Sequence, residues 1–581
     1  MASAPRARST VANVEAGAHP SNRRGAWRPA LILIAAFTMV AGLTYVPAAT
    51  TQVPAVETIA PAPQKAVPAV KTPAPPSYPI SGYFISASPQ YSTNFQKLAD
   101  IKEFGGDTVI TFGTLLKPAT LDSLPADCII DGVSCAKAAA GSKKVHQYFT
   151  FLDGSRWGSS ALKCPGDRKV TSNGKSYVVL FFPTVGQGCA SPSGEYDVVV
   201  AGGSRATADD PSSSLASAAT KLGMKYYAGL PAPIKRTDLA YLPDLSYMGP
   251  LTLFTERFLQ YHAAVNNVPG LAGFYHHTEM PLSNSSTFDP VLALYQMQNR
   301  AIHRLLPTRE AIVSPYLDAR LNKVFISLDK ARDGTRRIAQ TSSGLVLNIA
   351  VQDGMGTGKG GAFSSNDANS AVDRFAASIV GKGSWASKYV APNRDYFVAA
   401  ASGVSGTGAV LWANLEGMAP EAGSNACGDN LRGQTTKARM DRQLQQMANA
   451  RKVISFMWDS YYTCTGSGKS LKDQLESGLT TPIITDTTFR ASTGQVQIAG
   501  FNLKAGTARV RWTAQNGLAK EKTLKATGSN AAYGQLHGLN DRLEMITVSV
   551  GKTTLNTSKR YVVTVTNEWG VKSEDFFSQP G

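Results

Sequence analysis

GLAGFYHHTEMPLSNSSTFDPVLALYQMQNRAIHRLL, residues 270–306, holds the unit from which the fold can be read. It opens on a short apolar run, GLAGFY, and then turns polar at His276, His277, Thr278 and Glu279 before Pro281 breaks it. That is the pattern of a buried strand coming to the surface at its C-terminal end. After a Ser/Asn-rich turn, Asp289 opens a segment whose apolar residues recur at helical spacing.

The same unit recurs along the chain. Apolar strands are expected at 80–88 (ISGYFISAS), 107–113 (DTVITFG), 224–231 (MKYYAGLP), 311–320 (AIVSPYLDAR), 345–356 (LVLNIAVQDGMG), 408–418 (GAVLWANLEGM) and 453–462 (VISFMWDSYY). Segments such as NFQKLADIKEFG, LTLFTERFLQYHAAVNNV, NDANSAVDRFAASIVG and TKARMDRQLQQMANARK read as helices between them. With GLAGFY as the fourth strand, the count is that of a (β/α)8 TIM barrel over residues 79–479. Parallel strands covered on both faces should be continuously apolar, as these are. The alternative is a doubly wound open sheet, against which stands the missing G-x-G-x-x-G after the first strand. Residues 115–210 interrupt the rhythm after strand two. They contain the strand-like KSYVVLFFP and EYDVVVAGG and four cysteines, the marks of an ordered insertion. Residues 480–581 change to short alternating strands (QVQIAGFNL, ARVRWTA, MITVSV, RYVVTVTNEWG) and predict a small all-β sandwich. The expected fold class is therefore α/β with an all-β C-terminal domain.

Of 581 residues, 43% are hydrophobic and 17% charged, enough apolar material for a large core and more than one domain. Residues 1–28 are Arg-rich and expected on the cytoplasmic side; 29–46 (PALILIAAFTMVAGLTYV) form an apolar run. Together they mean export, through either a cleaved signal peptide or a membrane anchor. Either leaves the body extracellular, secreted or held on the cell membrane by residues 29–46. Residues 47–78 are a Pro/Ala-rich linker. Cys128, Cys135, Cys164, Cys189, Cys427 and Cys464 fit disulfides in an exported chain. The first four allow three pairings; Cys427 with Cys464 is the simplest pair for the rest. The absence of any C-x-x-C pair counts against zinc. A net charge of +17 favours anionic partners, an anionic cell-wall polymer among them. The excess is scattered and accompanies no nucleic-acid motif, so nucleic acid is not an expected partner.

Chemistry on such a barrel belongs where strands end. The polar residues there are His276, His277 and Glu279 on strand four; Tyr316, Asp318 and Arg320 on five; Gln352 and Asp353 on six; Trp412, Asn414 and Glu416 on seven; and Trp458, Asp459, Tyr461 and Tyr462 on eight. Glu279 and Glu416 lie across the mouth from each other, the disposition glycosidic hydrolysis asks of two carboxylates. His276, Gln352 and Asn414 suit sugar hydroxyls. Trp412, Trp458, Tyr461 and Tyr462 suit pyranose faces, unless Trp412 and Trp458 simply fill the barrel top. Asp353 or Asp459 would orient a glutamate or replace one. A metal site in HHTE is disfavoured because adjacent strand residues face opposite ways. DGMGTGKGG (353–361) lacks the P-loop spacing and reads as a flexible substrate loop.

On these residues the chain resembles clan-A-type glycoside hydrolases, whose acid/base ends strand four and whose nucleophile ends strand seven. ISGYFIS, FYHHTEM, IVSPYLDAR, AVQDGMG and LWANLEGM resemble, more narrowly, a TIM-barrel family grouped with them. The resemblance implies a glycosidase with Glu279 as general acid/base and Glu416 as nucleophile, and retention of configuration if their carboxyls lie about 5–5.5 Å apart. The expected partner is a polysaccharide or oligosaccharide substrate, with no cofactor or metal. It departs at Thr278, where clan A has asparagine. VQIAGFNL and YVVTVTNEWGVKS resemble the immunoglobulin-like IPT/TIG fold. The rival function is a non-catalytic carbohydrate-binding or wall-associated protein on a barrel scaffold.

Overall fold

The computed structural model describes residues 77–578, except 187, 207–208, 324–325, 421–426, 429–430, 467, 505 and 553–554. The basic N-terminus, the apolar run 29–46 and nearly all of the linker lie outside the described residues. Among the described residues no helix is long and apolar enough to cross a membrane.

Eight parallel strands close into a barrel: β1 (Gly82–Phe84), β2 (Thr108–Ile110), β3 (Lys225–Gly229), β4 (Leu271–Tyr275), β5 (Glu310–Val313), β6 (Leu347–Gln352), β7 (Val410–Glu416) and β8 (Lys452–Phe456). Each pairs with its sequence neighbour, and β8 returns to β1. Six fall inside the apolar runs named above, while β5 and β8 begin one residue earlier, at Glu310 and Lys452. Phe84, Ile110, Tyr227, Tyr275, Ile312, Ala350, Trp412 and Ile454, one from each strand, form a single buried cluster inside the barrel. The interior is therefore a packed floor under a cleft, not a pore.

Helices cover the outside. Two of them, Leu328–Ala339 and Asn393–Val404, fall where the sequence reading named none. Each carries an interior glycine, which lowers helix propensity. The structure uses both for close approach: a Cβ on Gly334 would lie 2.6 Å from Ser283 N, and one on Gly403 2.5 Å from Arg332 O.

The insertion is a six-stranded sheet ordered 232–233, 115–119, 144–152, 195–205, 175–183, 168–172. Through Ala232–Pro233 it joins the segment that leaves β3, so the insertion borders the barrel mouth. Its inner face (Phe149, Phe151, Val178, Leu180, Val199) merges with the main core, beside Phe254 and Phe258 of the helix Met248–Val265. A buried Arg257–Asp167 pair at 2.8 Å fixes it to that helix. The disulfides join Cys128 to Cys135, Cys164 to Cys189 and Cys427 to Cys464.

Residues 483–577 form two four-stranded antiparallel sheets. Alternate residues (Val496 and Ile498, Val510 and Trp512, Ile546 and Val548, Val563 and Val565) share one core, as period-two strands require. Arg394 ties them to the barrel, donating to Thr485 O at 2.5 Å and pairing with Asp486 at 2.8 Å. Tyr78, placed at the end of the linker in the sequence reading, is 1% exposed and donates to Asp441 Oδ1 at 2.6 Å.

Candidate active site

A cleft of 810 Å³ opens over the C-terminal ends of the barrel strands. Its lining includes Glu279, Glu416, Tyr316, Gln352, Asn414, His277 and Thr278. Tyr275, Phe84, Phe112 and Phe456 form an aromatic wall, with Phe84 at 5.0 Å from both Phe112 and Tyr275. A second cavity of 720 Å³ lies on the insertion side and shares Phe112, but its lining has a single carboxylate, Asp153. The paired acids belong to the first.

Period-two geometry explains which residues arrive. Beyond β4, Tyr275, His277 and Glu279 face inward and up. His276 faces the other way. It is 0% exposed, with Nδ1 2.9 Å from Gln298 Oε1 and Nε2 2.7 Å from Asn299 Oδ1. Burial lowers its pKa to about 4. The expected sugar contact is therefore a structural histidine, and His277 holds the cleft position.

Glu279 stands in the open cleft, its carboxyl accepting from Gln352 Nε2 at 2.8 Å and facing Tyr275 Oη at 3.5 Å. Its pKa is pushed up to about 7, first by desolvation and then by the charge of Glu416, with Gln352, Lys359 and Lys235 opposing. The side chain keeps contact with cleft water although protein surrounds it, so solvent tempers the rise and its upward direction stands. Thr278, the departure from the clan-A pattern, accepts at its carbonyl from Tyr295 Oη at 2.6 Å.

Glu416 ends β7 and is 3% exposed. Its Oε2 accepts from Thr357 N at 2.8 Å and faces Thr357 Oγ1 at 3.1 Å. Burial raises its pKa, opposed by Lys359, Arg432 and the Thr357 bonds. Asp353, one residue past β6, is 0% exposed and is absent from the cleft lining. Its Oδ1 accepts from Met355 N at 3.2 Å and Glu416 N at 3.1 Å, and its Oδ2 from Gln443 Nε2 at 2.7 Å. It holds the end of β7 in place and does not face the cleft.

The loop 353–361, expected to be a flexible substrate loop, is hydrogen-bonded at several points. Asn393 accepts from Gly361 N at 2.9 Å and donates to Asp353 O at 2.8 Å. Tyr389 donates to Gly358 O at 3.0 Å and Arg439 to Met355 O at 3.2 Å. Thus pinned, the loop presents Thr357 to Glu416 and Lys359 to the cleft.

The remaining expected contacts fall elsewhere. Trp412 is inward but lies four residues before Glu416, about 13 Å lower along the strand, in the barrel floor. Asp318 is clamped by Arg320, with Nη2 to Oδ2 at 2.5 Å, and does not line the cleft. β8 ends at Phe456, and Trp458–Tyr462 wind into a helical turn. That turn carries Trp458 outward against Tyr83 at 4.8 Å and buries Tyr461, while Asp459 pairs with Lys97 at 2.5 Å. Cleft residues the sequence reading missed are Phe112, Lys235, Thr357, Lys359, Arg432 and Phe456. DGMGTGKGG was the one signal for two of them.

No family model matches the chain, and no curated protein does. Solved structures do. One from Bacteroides thetaiotaomicron VPI-5482, proposed to be an α-L-fucosidase, is 13% identical, covering 72% of this chain and 98% of its own at a TM-score of 0.39. An endo-β-1,4-mannanase from Thermotoga petrophila is 8% identical, covering 87% and 97% at 0.27. A β-glucuronidase 2 from Bacteroides uniformis is 11% identical, covering 63% of this chain but only 40% of its own at 0.26. These are glycosidases or proposed ones, but likeness this low carries no argument about the reaction here.

Proposed function

We propose that the protein is a retaining glycoside hydrolase acting on an extracellular or cell-surface glycan. The observation that carries this is one cleft lined by two glutamates in unlike environments. Glu279, pushed up to about 7, keeps the proton a leaving oxygen needs. Burial raises the Glu416 pKa too, but Glu416 faces an N–H and a hydroxyl from Thr357 with Lys359 and Arg432 near, contacts that favour its ionised form. In this reading Glu279 protonates the leaving oxygen while Glu416 attacks the anomeric carbon. Water activated by Glu279 then releases the sugar with its configuration kept. Gln352 holds Glu279, Tyr316 and Asn414 meet hydroxyls, and the aromatic wall carries a pyranose face.

We read the barrel as a TIM barrel over 79–479 and the two C-terminal sheets as an immunoglobulin-like domain. The three disulfides support an oxidising, extracellular location. A glycan-panel digest with anomer analysis by NMR tests the whole reading. Glu279→Gln and Glu416→Gln should each lose at least about a thousandfold in turnover with the fold unchanged by circular dichroism. Full activity in both proteins refutes it.

A further inference from the structure

Three cations, Lys235, Lys359 and Arg432, share the cleft lining with Glu279 and Glu416. Were the lysines only counter-ions to the glutamates, each would sit against a carboxylate. Among the described residues neither lysine makes an ion pair within 4.0 Å. Lys359 Nζ lies instead 3.8 Å from the centre of the Tyr316 ring. Its backbone is fixed on both sides, the N–H donating to Gly354 O and the carbonyl accepting from Ala319 N, each at 2.8 Å. Burial lowers the Lys359 pKa against the opposing charges of Glu416, Asp318 and Glu279. Lys235 lies on the segment leaving β3 and bridges to Pro243. Its charge reaches both His277 and Glu279. The lining thus carries three cations against two carboxylates. Of the two lysines only Lys359 is half-buried, and an ammonium so placed without an ion pair is costly unless a guest completes it.

Resting on the hydrolase reading, we infer that the substrate is an acidic glycan, whose carboxylate, sulfate or phosphate group is held by Lys235 and Lys359 beside the bond to be cleaved. Each lysine supplies charge-assisted hydrogen bonds to that group. Tyr316 backs Lys359 and keeps it aimed across the mouth.

Affinity electrophoresis of the full chain tests this. The probes are polygalacturonate, hyaluronate, chondroitin sulfate and a phosphomannan, against neutral laminarin and dextran. The proteins are wild type, Lys235→Met, Lys359→Met, and a double variant of two exposed lysines on the C-terminal domain, Lys520→Met with Lys522→Met. The double variant removes at least as much charge far from the cleft, which separates the site from net attraction by a basic protein. Wild type should bind at least one acidic polymer, with its identity telling carboxylate, sulfate and phosphate apart. Each cleft variant should weaken that binding by about tenfold or more, and the double variant should leave it within about twofold. Equal losses in the cleft and double variants, tighter binding of a neutral polymer, or no binding to any acidic one overturns the inference. Binding is read without turnover. A protein that binds through these lysines and cleaves nothing refutes the hydrolase reading alone; one that cleaves neutral glycans regardless of them refutes this inference alone.

Discussion

The Gln352–Glu279 hydrogen bond sets a testable position for the alkaline limb of the pH profile. Gln352 Nε2 donates at 2.8 Å to Glu279 Oε1 and also at 2.8 Å to Ser314 O. The bond to Glu279 favours the ionised carboxyl, so Gln352→Met, which keeps the bulk and removes the donor, should raise the Glu279 pKa. A hydrogen bond to a charged group contributes about 1.5–3 kcal/mol. Cleft water replaces part of it at an open carboxyl, which brings the effect to about 1.4 kcal/mol, or one pKa unit. The limb should move from about 7 in the wild type to about 8 in the variant. At pH 8, about a tenth of Glu279 is then protonated in the wild type and about half in the variant. Relative to its own optimum, kcat/KM at pH 8 should rise about fivefold. The assay is kcat/KM from pH 4 to 9 on a phenyl glycoside of the cleaved sugar, whose poor leaving group demands a proton. A limb that stays put, or moves to lower pH, refutes the assignment of Glu279 as the acid. A limb moved only by Asp353→Asn gives that role to Asp353.

Gly356→Ala should cost at least about a hundredfold in kcat/KM, because a Cβ there would lie 2.8 Å from Glu416 Cβ and 2.4 Å from Met418 Cγ; steady-state kinetics on a protein with unchanged circular dichroism checks it. His276 takes up its proton only near pH 4 when folded but near 6.5 when unfolded, so the unfolded chain binds more protons in between and stability falls as pH drops through that window. His276→Gln should therefore lose about 3 kcal/mol less than the wild type between pH 6.5 and 4, measured by urea unfolding. Asp167→Ala strands Arg257, and takes the acceptor from Phe181 N at 2.9 Å and Cys164 N at 2.8 Å. It should cost about 3–5 kcal/mol in the same measurement; a loss under 1 kcal/mol would mean that the insertion does not depend on this pair.

The eight barrel strands announce themselves because both their faces are covered. LNIAV in β6 and VLWANL in β7 carry one polar residue each, the buried Asn348 and Asn414, and no charged residue until the mouth opens. The same logic finds Glu279 and Glu416, each the first carboxyl after such a run. It cannot find Lys359 or Thr357, which lie in a loop without periodicity. Their direction is fixed by Tyr389, Asn393 and Arg439, which are distant in sequence. Lys235 and Arg432 are hidden for the same reason: each approaches the cleft from a segment that has already left its strand.

What the sequence leaves undetermined within a strand is phase. Two adjacent histidines after β4 must face opposite ways, but only the register against neighbouring strands says which faces in. Tyr275, paired with Ile312 and lying in the barrel floor, fixes it: 275, 277 and 279 share one face, and 276 belongs to the helices. The rule also fails where a strand stops. At β8 the chain coils after Phe456, so Trp458 and Tyr462, in phase with the inward-facing Phe456 had the strand run on, pack outward against Tyr83. At β6 the rule holds for one residue more: Gln352 faces Glu279, and Asp353 faces out to the helix that carries Gln443. A carboxylate on the rim can thus shape the cleft without lining it. By accepting Glu416 N–H, Asp353 sets where the last residue of β7 stands, and with it where Glu416 points.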